Sequence, residues 1–270
     1  MHFKNAIPAI LAFALTAISV GNGKADPINV SAAFKITNDT GQAANDFHIT
    51  ASSDTTLTLV SSLDGPFGPP TVTSNPTNNL FKNFDWSGGV VAAGDMATIG
   101  LTLSQTVKNK VRIDNAYWTN NGVQIDGMVP LGGFEVTPAG GAGGVMIRIT
   151  NDSSSNMNVG NASFGVSPTA TPLASLPYNG HNLAVTVPDF TVQANSFFDI
   201  FVTLPLPDGD FLDFEGQDFS DPAHSTVIDS FGYEHEHGTP EPSTLLMMLG
   251  GAGFLAAVAK GRSCKHANNR

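Results

Sequence analysis

The sequence predicts an all-β protein whose body consists of two tandem β-sandwich units. Apolar and polar residues alternate along much of the chain, β-branched and turn-forming residues are frequent, and little helical periodicity is present. Charged residues make up only 13% of the 270 residues. Ser, Thr, Asn and Gly must therefore supply most of the surface polarity, unlike the Lys- and Glu-rich surface of a typical helical protein.

The first 25 residues have the pattern of a signal peptide. Lys4 supplies a positive start, residues 6–20 are almost wholly apolar, and the small residues Gly23 and Ala25 flank the expected cleavage site. Cleavage after this site would leave the body outside the inner membrane. An uncleaved membrane anchor is the alternative, although the apolar run is short for a membrane span.

The body contains an internal repeat. The segment Phe-Lys-Ile-Thr-Asn-Asp-Thr at 34–40 recurs as Ile-Arg-Ile-Thr-Asn-Asp-Ser at 147–153. In both copies two apolar residues face one way, a basic residue and Thr face the other way, and Asn-Asp opens a turn. A second motif, in which a turn enters an alternating apolar strand, occurs at 93–103 and again at 194–204. Two motifs in the same order indicate a duplication.

The repeat divides the body into units at 26–137 and 145–231. The Gly-rich stretch 138–144 is predicted to be the linker between them, and residues 232–239 a polar spacer. Each unit has about the size of an immunoglobulin-like or related β-sandwich. A single larger sandwich or jelly roll, with the two halves as its sheets, is the alternative.

A tight hairpin is predicted at Asn121-Gly122. This dipeptide lies between two short runs of β-forming residues at 117–119 and 123–125. Asn and Gly both tolerate the positive φ that two-residue hairpin turns require. The two runs should therefore pair as antiparallel strands.

Charge and cysteine content exclude several classes of protein. The net charge is −11, and the body from Asp26 to Thr239 is more acidic, with six basic and 22 acidic residues for a net charge of −16. Such a surface argues against binding nucleic acid, because phosphate binding needs positive charge. The single cysteine, Cys264, lies in the tail, so the body has no disulfide and no thiol-based site.

The C-terminal end has an ordered series of features. Pro240, Glu241 and Pro242 come first, and residues 245–259 then run without a charge. A basic end follows, formed by Lys260, Arg262 and Lys265. The apolar run with its flanks is just long enough to cross a thin bilayer as a helix, and the basic end would hold its terminus on the cytoplasmic side. The prolines would keep the preceding segment extended.

These features resemble the PEP-CTERM sorting domain, which combines a Pro-Glu-Pro triplet, a short apolar helix and a basic end. The resemblance is limited to the tail, about residues 240–265. It implies that an exosortase, a membrane peptidase, recognises Pro240, Glu241 and Pro242 in the inner membrane and processes the tail. It also implies a Gram-negative, exopolysaccharide-producing source. A plain C-terminal anchor is the alternative.

An acidic stretch before residue 222 is the best candidate for metal chemistry. Asp208, Asp210 and Asp213 are hard oxygen ligands close in sequence, which suits Ca²⁺, although their spacing does not match an EF-hand loop. The alternative is a solvated acidic loop. His235 and His237 form a weaker transition-metal candidate within the predicted spacer.

Four aromatic residues are candidates for a glycan-stacking platform, because sugar rings pack on flat apolar faces. Trp86 and Trp118 are the principal ones, with Tyr117 and Tyr178. Tyr117 and Trp118 point to opposite faces of one strand, so one of them is expected in the core. Core packing is the alternative interpretation for both tryptophans.

No catalytic residue is predicted. The sequence contains neither Gly-x-Ser-x-Gly nor His-Glu-x-x-His. His224 lies in Asp-Pro-Ala-His-Ser at 221–225, but neighbours in one loop seldom meet in triad geometry.

We therefore expect an exported, exosortase-processed structural protein of the cell surface or of an extracellular, exopolysaccharide-rich biofilm matrix, without a cofactor or catalysis. It would pass transiently through the inner membrane. A secreted carbohydrate- or Ca-binding module is the alternative, and a secreted hydrolase is the third candidate.

Overall fold

The described part of the chain is built from β-strands and one short 3-10 turn, Leu173–Ser175. This computed structural model describes residues 28–75, 78–105, 111–125, 133–139, 144–151, 153–178, 183–203, 206–207 and 209–237. The strands are β1 (Ile28–Thr37), β2 (Ala44–Ser53), β3 (Leu57–Leu63), β4 (Thr71–Asn75), β5 (Asn78–Val91), β6 (Met96–Gln105), β7 (Val111–Asn120), β8 (Val123–Gln124), β9 (Gly133–Ala139), β10 (Gly144–Asn151), β11 (Met157–Ser167), β12 (Val185–Thr186), β13 (Phe190–Val192), β14 (Ser196–Val202), β15 (Phe211–Phe219) and β16 (Val227–Glu236). The all-β prediction is confirmed.

The strands form three sheets. Sheet A has eight strands in the order β12-β11-β15-β16-β1-β6-β3, with β13 also paired to β11. Sheet B has the order β4-β5-β2-β7-β8, and sheet C the order β14-β10-β9. Neighbouring strands are antiparallel, and successive side chains alternate between faces. The alternation in the sequence therefore buries one face of sheet B and leaves the other polar.

The sheets pack in a sandwich-like arrangement around one contiguous apolar core. Val30 on β1 and Leu101 on β6 line a narrow apolar cavity together with Ile113 of sheet B. Sheet C packs against sheet A where Phe190 on β13 stacks on Phe198 on β14, with ring centroids 4.3 Å apart. Buried side chains of both halves belong to the same cluster.

The internal repeat appears in the structure as two strand pairs with the same register. Phe34 on β1 lies opposite Ile99 on β6, and Ile147 on β10 lies opposite Ile200 on β14. The turn before the second strand of each pair uses a left-handed residue at the same position, Gly94 with φ 83° or Asn195 with φ 52°. Asn tolerates this region better than most residues, so it can replace Gly there.

Asn38 organises the turn after β1. The residue is fully buried, and its Nδ2 donates to the backbone oxygens of Gln42 at 2.8 Å and Val91 at 2.9 Å. Its Oδ1 accepts from the hydroxyl of Thr40 at 2.7 Å. One side chain thus satisfies backbone groups that would otherwise lose hydrogen bonds on burial.

Asn151 makes the same contacts in the second copy. It is also fully buried, and its Nδ2 donates to the backbone oxygens of Ser155 at 2.8 Å and Val192 at 3.1 Å. The hydroxyl of Ser153 donates to its Oδ1 at 2.7 Å. The duplicated sequence therefore folds into a duplicated hydrogen-bond network, not only into similar strands.

The predicted division of the body into separate units at 26–137 and 145–231 is wrong. Strand β16 pairs with β15 on one side and with β1 on the other, so sheet A contains strands of both halves. Ala25–Thr239 forms one compact unit. Hydrophobic alternation specifies which face of a strand is buried but not which strand is its neighbour.

Two predicted connectors are also corrected. The described ends of the predicted linker 138–144 belong to β9 and β10, where Ala139 lies opposite Gly144 in an antiparallel pair. In the predicted spacer 232–239, residues 232–236 belong to β16 and have buried members such as Tyr233. Both segments contain paired strand residues. Their glycines and charged residues interrupt the apolar alternation by which a strand is recognised in a sequence.

The predicted hairpin at Asn121-Gly122 is confirmed. Asn120 lies opposite Val123, which joins β7 to β8. Asn121 and Gly122 both have positive φ, 51° and 73°. These values fit the two-residue turn that follows the right-handed twist of paired strands.

The two ends of the chain lie outside the described residues. These ends contain the predicted signal-cleavage residues Gly23 and Ala25, as well as the apolar run 245–259. Across the described ranges, no helix is long and apolar enough to cross a membrane.

We predict that Asn38→Ala and Asn151→Ala each lower the free energy of unfolding by about 1–3 kcal/mol, because each leaves two backbone oxygens without their donor. Urea unfolding of the exported protein measures the change. Thr40→Ser is the matched control and should shift stability by less than about 0.5 kcal/mol, because Ser153 already makes the equivalent bonds. A loss for only one of the two Asn variants would contradict the equivalence of the two turns.

Candidate functional site

Hairpin β15–β16 contains an unusually large number of buried carboxyl side chains. Five carboxyl side chains are buried there, namely Asp213, Glu215, Asp218, Asp229 and Glu234. The hairpin segment 211–236 contains no Lys or Arg. Buried carboxylates without a compensating charge are costly, and such groups keep their protons to higher pH instead.

The first acid pair joins the two strands on the face of sheet A that points away from sheet B. Asp213 and Glu234 lie directly opposite in the ladder, and their carboxyl groups are within hydrogen-bonding reach. Thr171 approaches from the segment before the 3-10 turn. Its backbone N–H donates to Oε2 of Glu234 at 2.5 Å, and its hydroxyl donates to Oδ2 of Asp213 at 3.3 Å.

A cavity of about 130 Å³ adjoins Asp213 of this pair. Its lining residues are Thr171, Ser175, Leu176, Leu183, Asp213, Phe214, Glu215 and Tyr233. Oδ1 of Asp213 is buried and has no hydrogen-bond partner within the described ranges. The covering segment lies directly on β16, since a Cβ on Gly232 would come within 1.8 Å of the carbonyl oxygen of Leu176.

Burial raises the pKa of both Asp213 and Glu234, while the hydrogen bonds from Thr171 act in the opposite direction. The negative charge of Asp213 raises the pKa of Glu234 further. Two like charges in contact cannot both form cheaply in a desolvated place. The pair therefore retains a proton at pH values where exposed carboxyl groups are fully ionised.

The second acid pair lies on the opposite face of the same hairpin. Asp218 is opposite Asp229, and each accepts a backbone N–H: Asn158 donates to Asp218 at 2.7 Å, and Thr37 donates to Asp229 at 2.9 Å. Burial raises the pKa of Asp218 to about 8, and the charge of Asp229 adds to this shift. Burial also raises the pKa of Asp229 to about 7, with a smaller contribution from Asp39.

The geometry limits the chemistry of these pairs. Carboxyl groups in hydrogen-bonding contact are closer than the roughly 5 Å that separates the two acids of a retaining glycosidase. In the part of the chain that the structure describes, no group of three or more His, Cys, Asp or Glu side chains is arranged to hold a metal ion. Sharing a proton fits the arrangement of the hydrogen-bonded pair Asp213 and Glu234.

Of the predicted metal ligands, Asp213 is the one at this site. Asp208 lies outside the described residues, and the described contacts of Asp210 are backbone hydrogen bonds, including one from the N–H of His237 to its carbonyl oxygen at 2.7 Å. The partner of Asp213 is Glu234, which was predicted to lie in the polar spacer 232–239. The alternation of Phe231 and Tyr233 around it was the signal that could have shown a strand.

The predicted glycan platform of Trp86 and Trp118 is wrong. Both side chains are completely buried, and Phe47 packs between them with its ring 4.6 Å from that of Trp118. Tyr117 and Trp118 point to opposite faces of β7 as predicted, because Tyr117 points away from the core. Tyr117 is half-buried and stacks on His48 with ring centroids 4.9 Å apart.

A hydrogen-bonded chain crosses the outer face of sheet B beside Tyr117. Nδ1 of His48 lies 2.6 Å from Oδ1 of Asp85, and its Nε2 lies 3.1 Å from the hydroxyl of Thr119. That hydroxyl is also 3.1 Å from Oδ2 of Asp46. These are the residue types of an acid-base-nucleophile triad, but Thr119 is only 3% exposed. The chain therefore fixes the orientation of His48 and offers no accessible nucleophile.

The loop at 221–225 does not assemble a triad either. The hydroxyl of Ser225 donates to Asp221, which lowers the pKa of that carboxyl group. Nδ1 of His224 instead lies 3.5 Å from Oδ2 of Asp189. The base and the hydroxyl thus face different partners.

The remaining predicted site lies in the C-terminal tail. Residues 239–263 match the family model of the PEP-CTERM protein-sorting motif. The chain carries a PEP-CTERM sorting motif. The match includes Pro240, Glu241 and Pro242 as well as Lys260 and Arg262, all of them outside the described residues. Lys265, also outside them, follows the matched span.

The PEP-CTERM motif implies processing by an exosortase at the membrane and export toward the cell surface. This confirms the resemblance drawn from the tail. No curated protein and no solved structure matches the chain. The chemistry of the body therefore has to be argued from its own residues.

The buried acids predict that stability falls as the pH rises. Unfolded carboxyl groups release their protons near pH 4, whereas Asp218 and Asp229 in the folded protein keep theirs until about pH 7–8. The folded state binds more protons within this window, so the free energy of unfolding decreases from about pH 4 to about pH 8. Thermal unfolding should give a higher Tm at the acidic end.

Asp218→Asn should flatten this dependence, because the amide keeps an oxygen for the N–H of Asn158 but has no proton to lose. Asp54→Asn, at an exposed acid, is the matched control and should keep the wild-type slope. A wild-type Tm that rises from pH 5 to pH 8 would refute the assignment of protonated buried acids.

Proposed function

We propose that this PEP-CTERM protein is a non-catalytic structural component of the cell surface or of the exopolysaccharide matrix. The observation that supports the proposal is the attachment of a sorting motif to an acidic, cysteine-free β-sandwich body. Sorting delivers the body outside the cell. Antiparallel sheets with one core then provide stability without disulfides.

The charge of the body fits a hydrated extracellular layer. A net charge of −16 between Asp26 and Thr239 keeps copies of the protein soluble and apart from one another. The outer face of sheet B includes Thr50 and Asn83, polar side chains of a kind that hydrogen-bond to water and to sugar hydroxyls alike. Neither property requires a pocket.

The absence of catalysis is supported by geometry at three places in the described residues. The carboxyl groups of Asp213 and Glu234 are in contact, which leaves no room for a substrate between them. Thr119 is buried, and His224 and Ser225 face different partners. Each arrangement has suitable residue types but lacks the access or spacing that its reaction needs.

Processing predicts a new C-terminus on the exported protein. Mass spectrometry of the product recovered from the cell surface or the medium should place its end near Pro242. Replacing Pro240 and Pro242 by Ala should block the cleavage, because the extended recognition segment is lost. Pro222→Ala, at an exposed loop proline, is the matched control and should be processed normally.

Recovery of an exported product that still ends at Arg270 would remove the sorting step from the proposal. Normal processing of the double proline variant would show that the Pro-Glu-Pro triplet is not what the peptidase recognises.

A carbohydrate-binding module is the second candidate, favoured by the outer face of sheet B. Tyr117 is half-buried on this face, and the ring of His48 stacks on it with centroids 4.9 Å apart. Asp85 and Thr119 fix His48, so the aromatic surface is held rigidly. Polar side chains such as Asn83 lie on the same face, where they could bind sugar hydroxyls.

This candidate predicts that a glycan array detects binding and that Tyr117→Ala weakens it by about tenfold, the loss expected from one stacking contact of about 1.4 kcal/mol. Tyr178→Ala, at a half-buried tyrosine away from sheet B, should leave the binding unchanged. No binding to any glycan, or equal losses in both variants, would eliminate the module.

A further inference from the structure

Strand β14 is an edge of sheet C that exposes three phenylalanine rings. It pairs with β10 on one side, and no strand pairs with its other side in the ranges that the structure describes. Phe197 is 53% exposed, Phe198 37% and Phe201 69%. An edge strand presents unpaired backbone N–H and C=O groups, and exposed apolar side chains on such an edge favour pairing with another strand.

The exposed rings surround an ion pair that leaves this edge locally neutral. Nε of Arg148 donates to Oδ1 of Asp199 at 2.7 Å, and its Nη2 donates to Oδ2 at 2.8 Å. Cζ of Arg148 lies 3.9 Å from the centre of the Phe197 ring. Asp199 is the one charged residue of β14. The net charge of −16 keeps copies of the body apart over most of their surface, so a contact between copies requires an edge with balanced charge.

The apolar pattern of β14 is symmetric about Asp199. Phe197 and Phe201 share the face of Asp199, and Phe198 and Ile200 flank it on the other face. If a second copy of the strand pairs in antiparallel orientation with the two-fold axis at Asp199, Phe197 of one copy lies opposite Phe201 of the other. Such aromatic pairs stabilise an antiparallel ladder. An axis at Phe198 or Ile200 would instead place each Asp199 opposite a ring, so the pattern specifies one register.

We propose that two copies of this protein join through β14, which pairs with itself about Asp199 and extends sheet C into a sheet of six strands. Both copies use the same strand, so the contact is isologous and closes at two copies. Each copy brings its own Arg148 to Asp199, so the two carboxylates meet without net charge. The proposal goes beyond the matrix function, since a structural protein and a glycan-binding module could each form this dimer.

The size of the edge predicts a weak, reversible dimer. The exposed fractions of the three rings correspond to about 300 Å² of apolar surface per copy, if a whole Phe side chain contributes roughly 200 Å². A standard interface buries about 800 Å² per partner, so the Kd should be on the order of tens of micromolar. NaCl should strengthen the dimer, because it screens the repulsion between the acidic bodies.

Sedimentation velocity of the exported protein, from about 5 to about 500 μM at low and high NaCl, should show a monomer–dimer equilibrium. Phe201→Glu should weaken the dimer by about tenfold, because it places a charge opposite Phe197 at both ends of the ladder. Val90→Glu is the matched control, since it adds the same charge at an exposed residue of β5 and should leave the equilibrium unchanged. Both variants should keep the wild-type Tm at low protein concentration, which shows that they fold.

Disulfide formation tests the register, because the body has no cysteine and Cys264→Ser removes the one thiol of the chain. In that background Asp199→Cys places a thiol opposite itself, with about 5 Å between the two Cα atoms, which a disulfide can span. The two thiols of a Phe197→Cys dimer would lie about 13 Å apart along the ladder. Mild oxidation should therefore cross-link Asp199→Cys but not Phe197→Cys, whereas a mixture of Phe197→Cys and Phe201→Cys should cross-link.

The proposal is overturned if the wild-type protein stays monomeric at every concentration and at both NaCl concentrations, as it would if the edge bound only a glycan or an unrelated peptide. A dimer that weakens as NaCl rises would also overturn it. So would a Phe201→Glu variant that dimerises as tightly as the wild type, or an equal loss in Val90→Glu. Equal cross-linking of Asp199→Cys and Phe197→Cys would contradict the antiparallel pairing about Asp199.

Discussion

The backbone ladder between β16 and β1 is the interaction on which the fold depends. Strand β1 is the first strand of the described chain and β16 is the last. Seven residue pairs join them, from Val30 opposite His235 to Ile36 opposite Asp229. The ladder continues sheet A from the second half into the first. A complementary ladder joins β9, which follows the hairpin of the first half, to β10, the first strand of the second repeat. These two ladders thus join the halves, which share one hydrophobic core.

The same ladder brings the acids together. Strand β16 carries Asp229 and Glu234 to positions opposite Asp218 and Asp213, one pair on each face of the sheet. Asp229 also accepts the N–H of Thr37 at the end of β1. The seam between the halves therefore consists partly of ionisable groups. Apolar residues of similar size would often stabilise such a place more, so the acids make the stability of this seam sensitive to pH at a cost in stability.

Local features of the fold were predictable from the sequence, and long-range pairings were not. Alternation indicated strands, the two Asn-Asp motifs indicated equivalent turns, and Asn121-Gly122 indicated its hairpin because turn chemistry is local. The ladders that join the two halves were hidden, since a period of two does not specify which strand is the neighbour. At the candidate site, Asp213 was identified but Glu234 was not, because a buried carboxyl group in a strand breaks the apolar pattern by which strands are recognised.

The position of the sorting motif is compatible with the ladder between β16 and β1. Strand β16 ends at Glu236, and the matched PEP-CTERM segment begins at residue 239. Cleavage near Pro242 would leave all of β16 in the product. An end placed ten residues earlier would remove part of the ladder to β1, and with it the pairing that joins the halves. Cleavage there would preserve the core, because in the sequence the processing motif follows the strand that completes sheet A.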